Sequence, residues 1–215
     1  MGKINEICRV ICLQKCVTDK VIDLDKKIDY TKAESSLTKL FSRSSWDDGR
    51  KEIKAMLGDD PDGLKILTCM LHCAEMSYDM YKNKGISDKI FADTMKCFTR
   101  FINEHNDGYG TMQFDRDWWT ARHISLNLFR IGELEYEKAS KKVIRIHIPS
   151  DAVLTEEKCI ESYKMADEFF TKYYPQYSNV DFVCSSWLLS PELRKLLSDT
   201  LNGGMIGSAY GILKK

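Results

Sequence analysis

The chain has 215 residues, enough for one large domain or two small ones at about 150 residues per domain. Hydrophobic side chains make up 43% and charged ones 30%, and 32 basic residues balance 32 acidic ones. That composition excludes a disordered tail or a fibrous protein. With no net charge there is no global field to attract nucleic acid or an anionic membrane. No apolar run approaches the roughly 18 residues needed to span a bilayer. The opening MGKINEICRVICLQKCV is broken by Lys3, Glu6, Arg9 and Lys15, so it does not read as a signal peptide. Gly2 has Glu6 where a myristoylation motif wants Ser or Thr. The expectation is a cytoplasmic protein without nucleic-acid or membrane partners.

In chain order, the first half reads as helices. Ile4, Ile7, Ile11, Val17 and Val21 recur near the helical repeat and predict a helix over residues 3–28. A short helix follows around Leu37, Leu40 and Phe41. Ser44 and Ser45 can cap a third over 46–57, with Asp47 and Asp48 favourable in its first turn and Gly58 at its end. Leu64, Leu67, Leu71 and Ala74 mark a strong helix over 64–82, stopped by Gly85. Ser87 caps another running to about His105, and a turn rich in Gly and Asn precedes Gly110.

The second half changes period. After a short helix around 118–125, residues 128–137 alternate Glu133, Glu135 and Glu137 with Leu134 and Tyr136, which predicts one strand with a solvated face. Residues 143–148 alternate again, with Ile144, Ile146 and Ile148 against Arg145 and His147, and Pro149 stops them. Thr155 caps a helix that carries Cys159, Phe169 and Phe170 and ends at Pro175. Residues 180–189 read as a third strand, and Ser190 with Pro191 opens a last helix. The expected organisation is a helical domain over 1–110, a mixed α/β domain over 111–202 and a Gly-rich tail over 203–215.

Eight cysteines in a cytosolic chain are expected to be thiols. Cys8, Cys12 and Cys16 would form one stripe on a helix, and Cys69 and Cys73 repeat the spacing around His72. The ligand set for a zinc site is not completed, so these read as small core residues and no metal is expected.

Four stretches carry a resemblance: GISDKIFADTMKCFTRFI (85–102), FDRDWW with HISLNLFRIGELEYE (114–137), IHIPSDAVLT (146–155) and FVCSSWLLSPEL (182–193). Together they resemble a bacterial acyltransferase family that pairs a helical N-terminal domain with a C-terminal domain similar to the GNAT N-acetyltransferases. The resemblance implies an α+β protein with a GNAT-like mixed sheet and packed helices. It also implies acyl-CoA as donor, and an amine on a small molecule or peptide as acceptor. Family members continue past 182–193 into further strands, so the sheet is expected to lack its last strands, and a second copy of the chain could cover the open edge.

Direct transfer requires a splayed strand for the pantetheine arm, backbone amides and a helix N-terminus for the pyrophosphate, and a base for the amine proton. The resemblance places the strand at 143–148, with Ile146, Ile148, Ser150 and Thr155 as cofactor-binding candidates. The loop from Pro149 to Leu154 contains no glycine, and Asp151, Glu156 and Glu157 lie where the phosphates would sit. Each like-charge contact near 4 Å costs on the order of 1–4 kcal/mol, against at most about 2 kcal/mol from the helix end. The expectation is acetyl-CoA binding no tighter than roughly 1 mM.

His147 is the candidate base, or a half-buried strand residue with a structural hydrogen bond. Glu133 and Glu135 are alternative bases, or part of the solvated strand face. Cys184 is a core residue or a nucleophile served by His147. Trp118 and Trp187 line a pocket or fill the core. Arg130 and Arg145 pair with Glu133 or Glu135, or bind an anion. Two functions follow: an acyltransferase-like protein that transfers an acyl group directly from a thioester to an amine, and a non-catalytic binding module that keeps the fold without a working coenzyme A loop.

Overall fold

The computed structural model describes residues 4–186, 188 and 190. The chain divides into two compact units, Met1–Asn127 and Leu128–Lys215. The expected boundary near Gly110 fell before a helix that packs into the first unit.

The helical unit contains α1 (Ile4–Val10), α2 (Lys15–Asp25), α3 (Tyr30–Lys39), α4 (Trp46–Leu57), α5 (Leu64–Lys84), α6 (Asp88–Met95), α7 (Cys97–Tyr109) and α8 (Asp117–Ile124). Its axis is α5, which is buried on nearly every side, from Leu64 through Tyr81. A helix apolar all round belongs in the middle of a bundle, and α1, α2, α4 and α8 pack around it. Its start is capped from the preceding loop. Asp60 accepts the N–H groups of Lys65 and Ile66, each at 3.0 Å, and Asp62 accepts that of Leu64 at 3.2 Å. Its end is Gly85, whose φ of +71° suits only glycine without strain. Ser77 Oγ donates to the Ile124 carbonyl at 2.7 Å, which fastens α8 to α5.

Two expected helices are each divided. The first breaks at Cys12, in the left-handed region at φ +56°, so α1 and α2 are separate. Cys8 is therefore buried while Cys12 and Cys16 are exposed, and the predicted single cysteine stripe does not form. The helix after Ser87 divides at Lys96 into α6 and α7. All eight cysteines are free thiols, and no group of metal-ligating side chains gathers among the described residues. No helix among them is long and apolar enough to cross a membrane.

The sheet unit orders its strands β1 (Leu128–Ile131), β2 (Leu134–Ser140), β3 (Val143–His147) and β4 (Asp181–Cys184). The first two pairings are antiparallel and the last is parallel, bridged by α9 (Glu156–Tyr173). The single strand expected over 128–137 is thus a hairpin. Gly132, at φ +62°, takes the first position of its two-residue turn, where a tight hairpin demands positive φ. The β2–β3 ladder contains an irregularity between Lys138 and Ser140.

Register separates the two faces. Phe129, Tyr136, Ile146 and Cys184 form one row, and α9 packs on this side through Phe169, 4.8 Å from Phe129. Tyr136 Oη and Ser162 Oγ lie 2.9 Å apart, and Ser162 Oγ donates to the Ile131 carbonyl. The opposite face carries Arg130, Glu135 and His147 in one row, and Leu128, Glu137, Arg145 and Val183 in the next. This corrects the reading of a solvated glutamate face, because Glu135 and Glu137 are only 2% and 1% exposed. The expected strand over 180–189 is shortened to β4, and Trp187, Leu189 and the last helix lie outside the described residues.

Candidate active site

Two carboxylates on adjacent turns of a pleat are ordinarily affordable only in water, because burying an ionised carboxylate without a partner costs several kcal/mol. On β2 the partner comes from β3. His147 Nε2 lies 2.9 Å from Glu137 Oε2, and Arg145 Nη1 is 4.0 Å from the same oxygen. Glu137 is nearly inaccessible, while the His147 side chain is 20% exposed. An ionised carboxylate only accepts, so Nε2 is the protonated nitrogen of a neutral His147 and Nδ1 carries the lone pair. The pair therefore fixes the tautomer and the orientation of the ring.

His147 also sits at a fork. The parallel pairing of β3 with β4 runs from Val143 opposite Asp181 to Ile146 opposite Cys184. His147 and Ile148 lie beyond its last pair, and Pro149 breaks the ladder by lacking an N–H. Ile146 itself is buried and its side chain shares the α9 face, whereas Ser150 and Asp151 are exposed in the following turn. Thr155 caps α9 by accepting the Lys158 N–H at 3.3 Å. The amides of the first turn of α9 point away from the helix toward this loop, as at any helix start.

The loop is tied down from the β1–β2 turn. Glu133 accepts the Val153 N–H at 3.0 Å and the Lys158 ammonium at 2.8 Å. Burial alone would raise its carboxyl, but these hydrogen bonds and the charges of Lys158 and Arg130 hold it below the usual carboxylate range. Arg130 donates through Nη1 to Asp151 at 2.9 Å and through Nε to the Gly132 carbonyl at 2.8 Å, with Nη2 3.5 Å from Glu133. Glu133 is a loop anchor in this geometry, separate from the His147 pair.

The other candidates separate. Glu135 pairs in register with His147 on the buried polar face. Cys184 belongs to the opposite row from His147, and burial pushes its thiol up to about 11. A nucleophilic cysteine needs the reverse shift and a base on its own face, so the Cys184–His147 reading is withdrawn. Trp118 is 49% exposed on α8 in the helical unit, packed edge-on against Trp119. Trp187 lies outside the described residues. Glu137, the third glutamate of the row, is the carboxylate that meets His147, ten residues on in the sequence.

A search of curated proteins finds no match. Among solved structures, this chain is similar to an acyltransferase mutant in complex with octanoyl-CoA, over 95% of this chain and 67% of that one, at TM-score 0.73 and 18% identity. It is similar to an acyltransferase in complex with decanoyl-CoA and teicoplanin, over 96% and 80%, at TM-score 0.61 and 17% identity. A further acyltransferase, in complex with decanoyl-CoA, matches 63% of this chain and 44% of its own length, at TM-score 0.57 and 22% identity. At these identities the likeness is one of fold. The family models reach further: one described as the N-acyltransferase N-terminal domain matches residues 2–126, and one described as a GNAT-like C-terminal domain matches 92–205. Each spans more than half of the 215 residues; the first model matches the helical unit, and the second starts within that unit and runs through the described sheet: the chain belongs to the family that joins an N-acyltransferase N-terminal domain to a GNAT-like C-terminal domain.

Proposed function

We propose that the protein transfers an acyl group from acyl-CoA to an amine, with His147 as the general base. The observation that carries this reading is the 2.9 Å contact between His147 Nε2 and the buried Glu137, beside the end of the β3–β4 ladder. The amine nitrogen attacks the thioester carbonyl. The C–N bond forms, the C–S bond breaks, the sulfur departs as coenzyme A thiolate, and the amine proton passes to His147 Nδ1. Glu137 orients the ring, and a base of this type is worth roughly 10²- to 10⁴-fold in rate. The β3–β4 register ends at Ile146, where the pantetheine arm would enter, and the N-terminus of α9 favours the phosphates.

The charge count made from the loop sequence took Asp151 as a bare carboxylate. It also left out Arg130, whose guanidinium reaches this loop and supplies a cation there, which supports donor binding tighter than the millimolar expectation. The fold relatives hold octanoyl- and decanoyl-CoA, so these are the first donors to try. The test is a thermal-shift titration with acetyl-, octanoyl- and decanoyl-CoA, followed by an assay of thiol release on adding a panel of primary amines. A donor at 100 times its Kd adds about 2.7 kcal/mol of stability. Saturable stabilisation with amine-dependent thiol release is the expected result. Stabilisation without turnover for any amine would sink the catalytic reading and leave a binding module.

A further inference from the structure

In a glycine-rich phosphate loop the backbone amides do the binding. Here several are already committed: Ala152 N–H to the Pro149 carbonyl, Thr155 N–H to that of Val153, and Val153 N–H to the Glu133 carboxylate. Lys158, the nearest lysine in α9, is held by the other oxygen of Glu133. A diphosphate arriving at this loop therefore needs a side-chain cation. Arg130 offers one, with its guanidinium 11% exposed and aimed at the loop. In the free protein that guanidinium holds Asp151 through Nη1, with Glu133 3.5 Å from Nη2 and the Gly132 carbonyl on Nε, and the Asp151 side chain is 58% exposed.

This asymmetry matters. A buried guanidinium stripped of its carboxylate would be strongly destabilised, but an exchange of one anion for another leaves it paired throughout. Asp151 then swings into water, which its exposure makes inexpensive. A phosphate meets the planar fork of Arg in two-point geometry, as a carboxylate does, and carries more charge. We propose that Arg130 is the phosphate-binding residue of the acyl-donor site, and that Asp151 is an internal anion that occupies it until the diphosphate of the donor displaces it. The inference rests on acyl-CoA being the donor. It goes further in naming the side chain that replaces the missing glycines and the carboxylate that competes with the ligand.

The test compares octanoyl-CoA with octanoyl-pantetheine, which has the thioester and no phosphate, by titration calorimetry on the full chain and on R130Q, R130K and D151N. R130Q should weaken octanoyl-CoA by roughly 10-fold or more and leave octanoyl-pantetheine within about twofold. R130K, which keeps the charge and loses the fork, should fall between. D151N, a change at an exposed side chain, should tighten octanoyl-CoA by roughly 3- to 10-fold without affecting octanoyl-pantetheine. Weaker or unchanged octanoyl-CoA binding in D151N overturns the displacement, and equal losses for both ligands in R130Q overturn the phosphate role. If the unmodified chain binds neither ligand, the donor assignment itself fails and this inference with it. Binding by the unmodified chain with no difference among the variants defeats this inference alone.

Discussion

In the helical unit the buried carboxylate is Asp117, and two permanent cations meet it: Arg50 at 2.9 Å and Lys54 at 2.8 Å. It also stands in the first turn of α8, where the helix dipole favours a negative charge. In the sheet unit the buried carboxylates are Glu135 and Glu137, and Glu137 has Arg145 at 4.0 Å and, at 2.9 Å, a histidine whose charge depends on pH. The first arrangement is balanced at every pH in the physiological range, so its outcome is a fixed α4–α8 contact. In the second the nearest partner is a group that can take up a proton, beside a longer contact with Arg145. Burial alone does not distinguish a structural carboxylate from a working one; the permanence of its nearest partner does.

That contrast can be broken at either end. The largest effect expected is on rate: His147→Gln, which can still donate a hydrogen bond to Glu137 but cannot act as a base, should lower kcat by roughly 10²- to 10⁴-fold in the thiol-release assay, with little change in thermal stability. Next, Asp117→Ala should leave two cations facing a nearly buried gap and cost about 2–4 kcal/mol in urea denaturation, with catalysis per folded molecule preserved. If the two substitutions exchange these outcomes, the distinction is wrong. A smaller loss tests the hairpin that carries the sheet site. Gly132→Ala puts a side chain at φ +62° and its Cβ 3.0 Å from Ser162 Cβ, which should cost about 1–2 kcal/mol in the same experiment.

The smallest effect is a gain. Burial, with Asp25 and Glu6 nearby, raises the Glu75 carboxyl from 4.5 to about 6. The folded state then binds the proton more tightly than the unfolded state, so Glu75 costs nothing below about pH 4.5. Its penalty grows as pH rises through 4.5–6 and is complete above 6. Glu75→Gln should therefore stabilise the chain by about 1 kcal/mol at pH 8 and by nothing measurable near pH 4, read from denaturation curves at the two values.

Much of the framework was legible because its signals are local. Gly85 and Thr155 mark helix ends, and α5 announces itself by an apolar run that no other period fits. The breaks at Cys12 and Lys96 were not legible, since neither residue carries the conformational signature of a stop. Gly132 was visible, yet the alternation on both sides of it fitted one strand as well as two. The site was half legible. His147 stood out by its chemistry, but a row of glutamates at every second position looks the same whether water or protein covers it. Burial of Glu135 and Glu137 is a property of the tertiary structure, and it made the difference between a solubilising stripe and a buried carboxylate in contact with His147.

The irregularity between Lys138 and Ser140 accommodates one extra residue, Ala139, in the ladder. Continue the pairing of Ser140 with Val143 without interruption, and Tyr136 would face His147 while Glu137 faced Ile146. Because Ala139 is the odd residue in the ladder, Glu135 faces His147 and Glu137 faces Arg145 instead. That register sets Glu135 and Glu137 against His147 and Arg145, and Tyr136 against Ile146. Removing Ala139 would close the ladder without the irregularity, with Ser140 still opposite Val143 and Glu135 and Glu137 still opposite His147 and Arg145, so the extra residue bends the end of the strand and leaves the acidic row where it is.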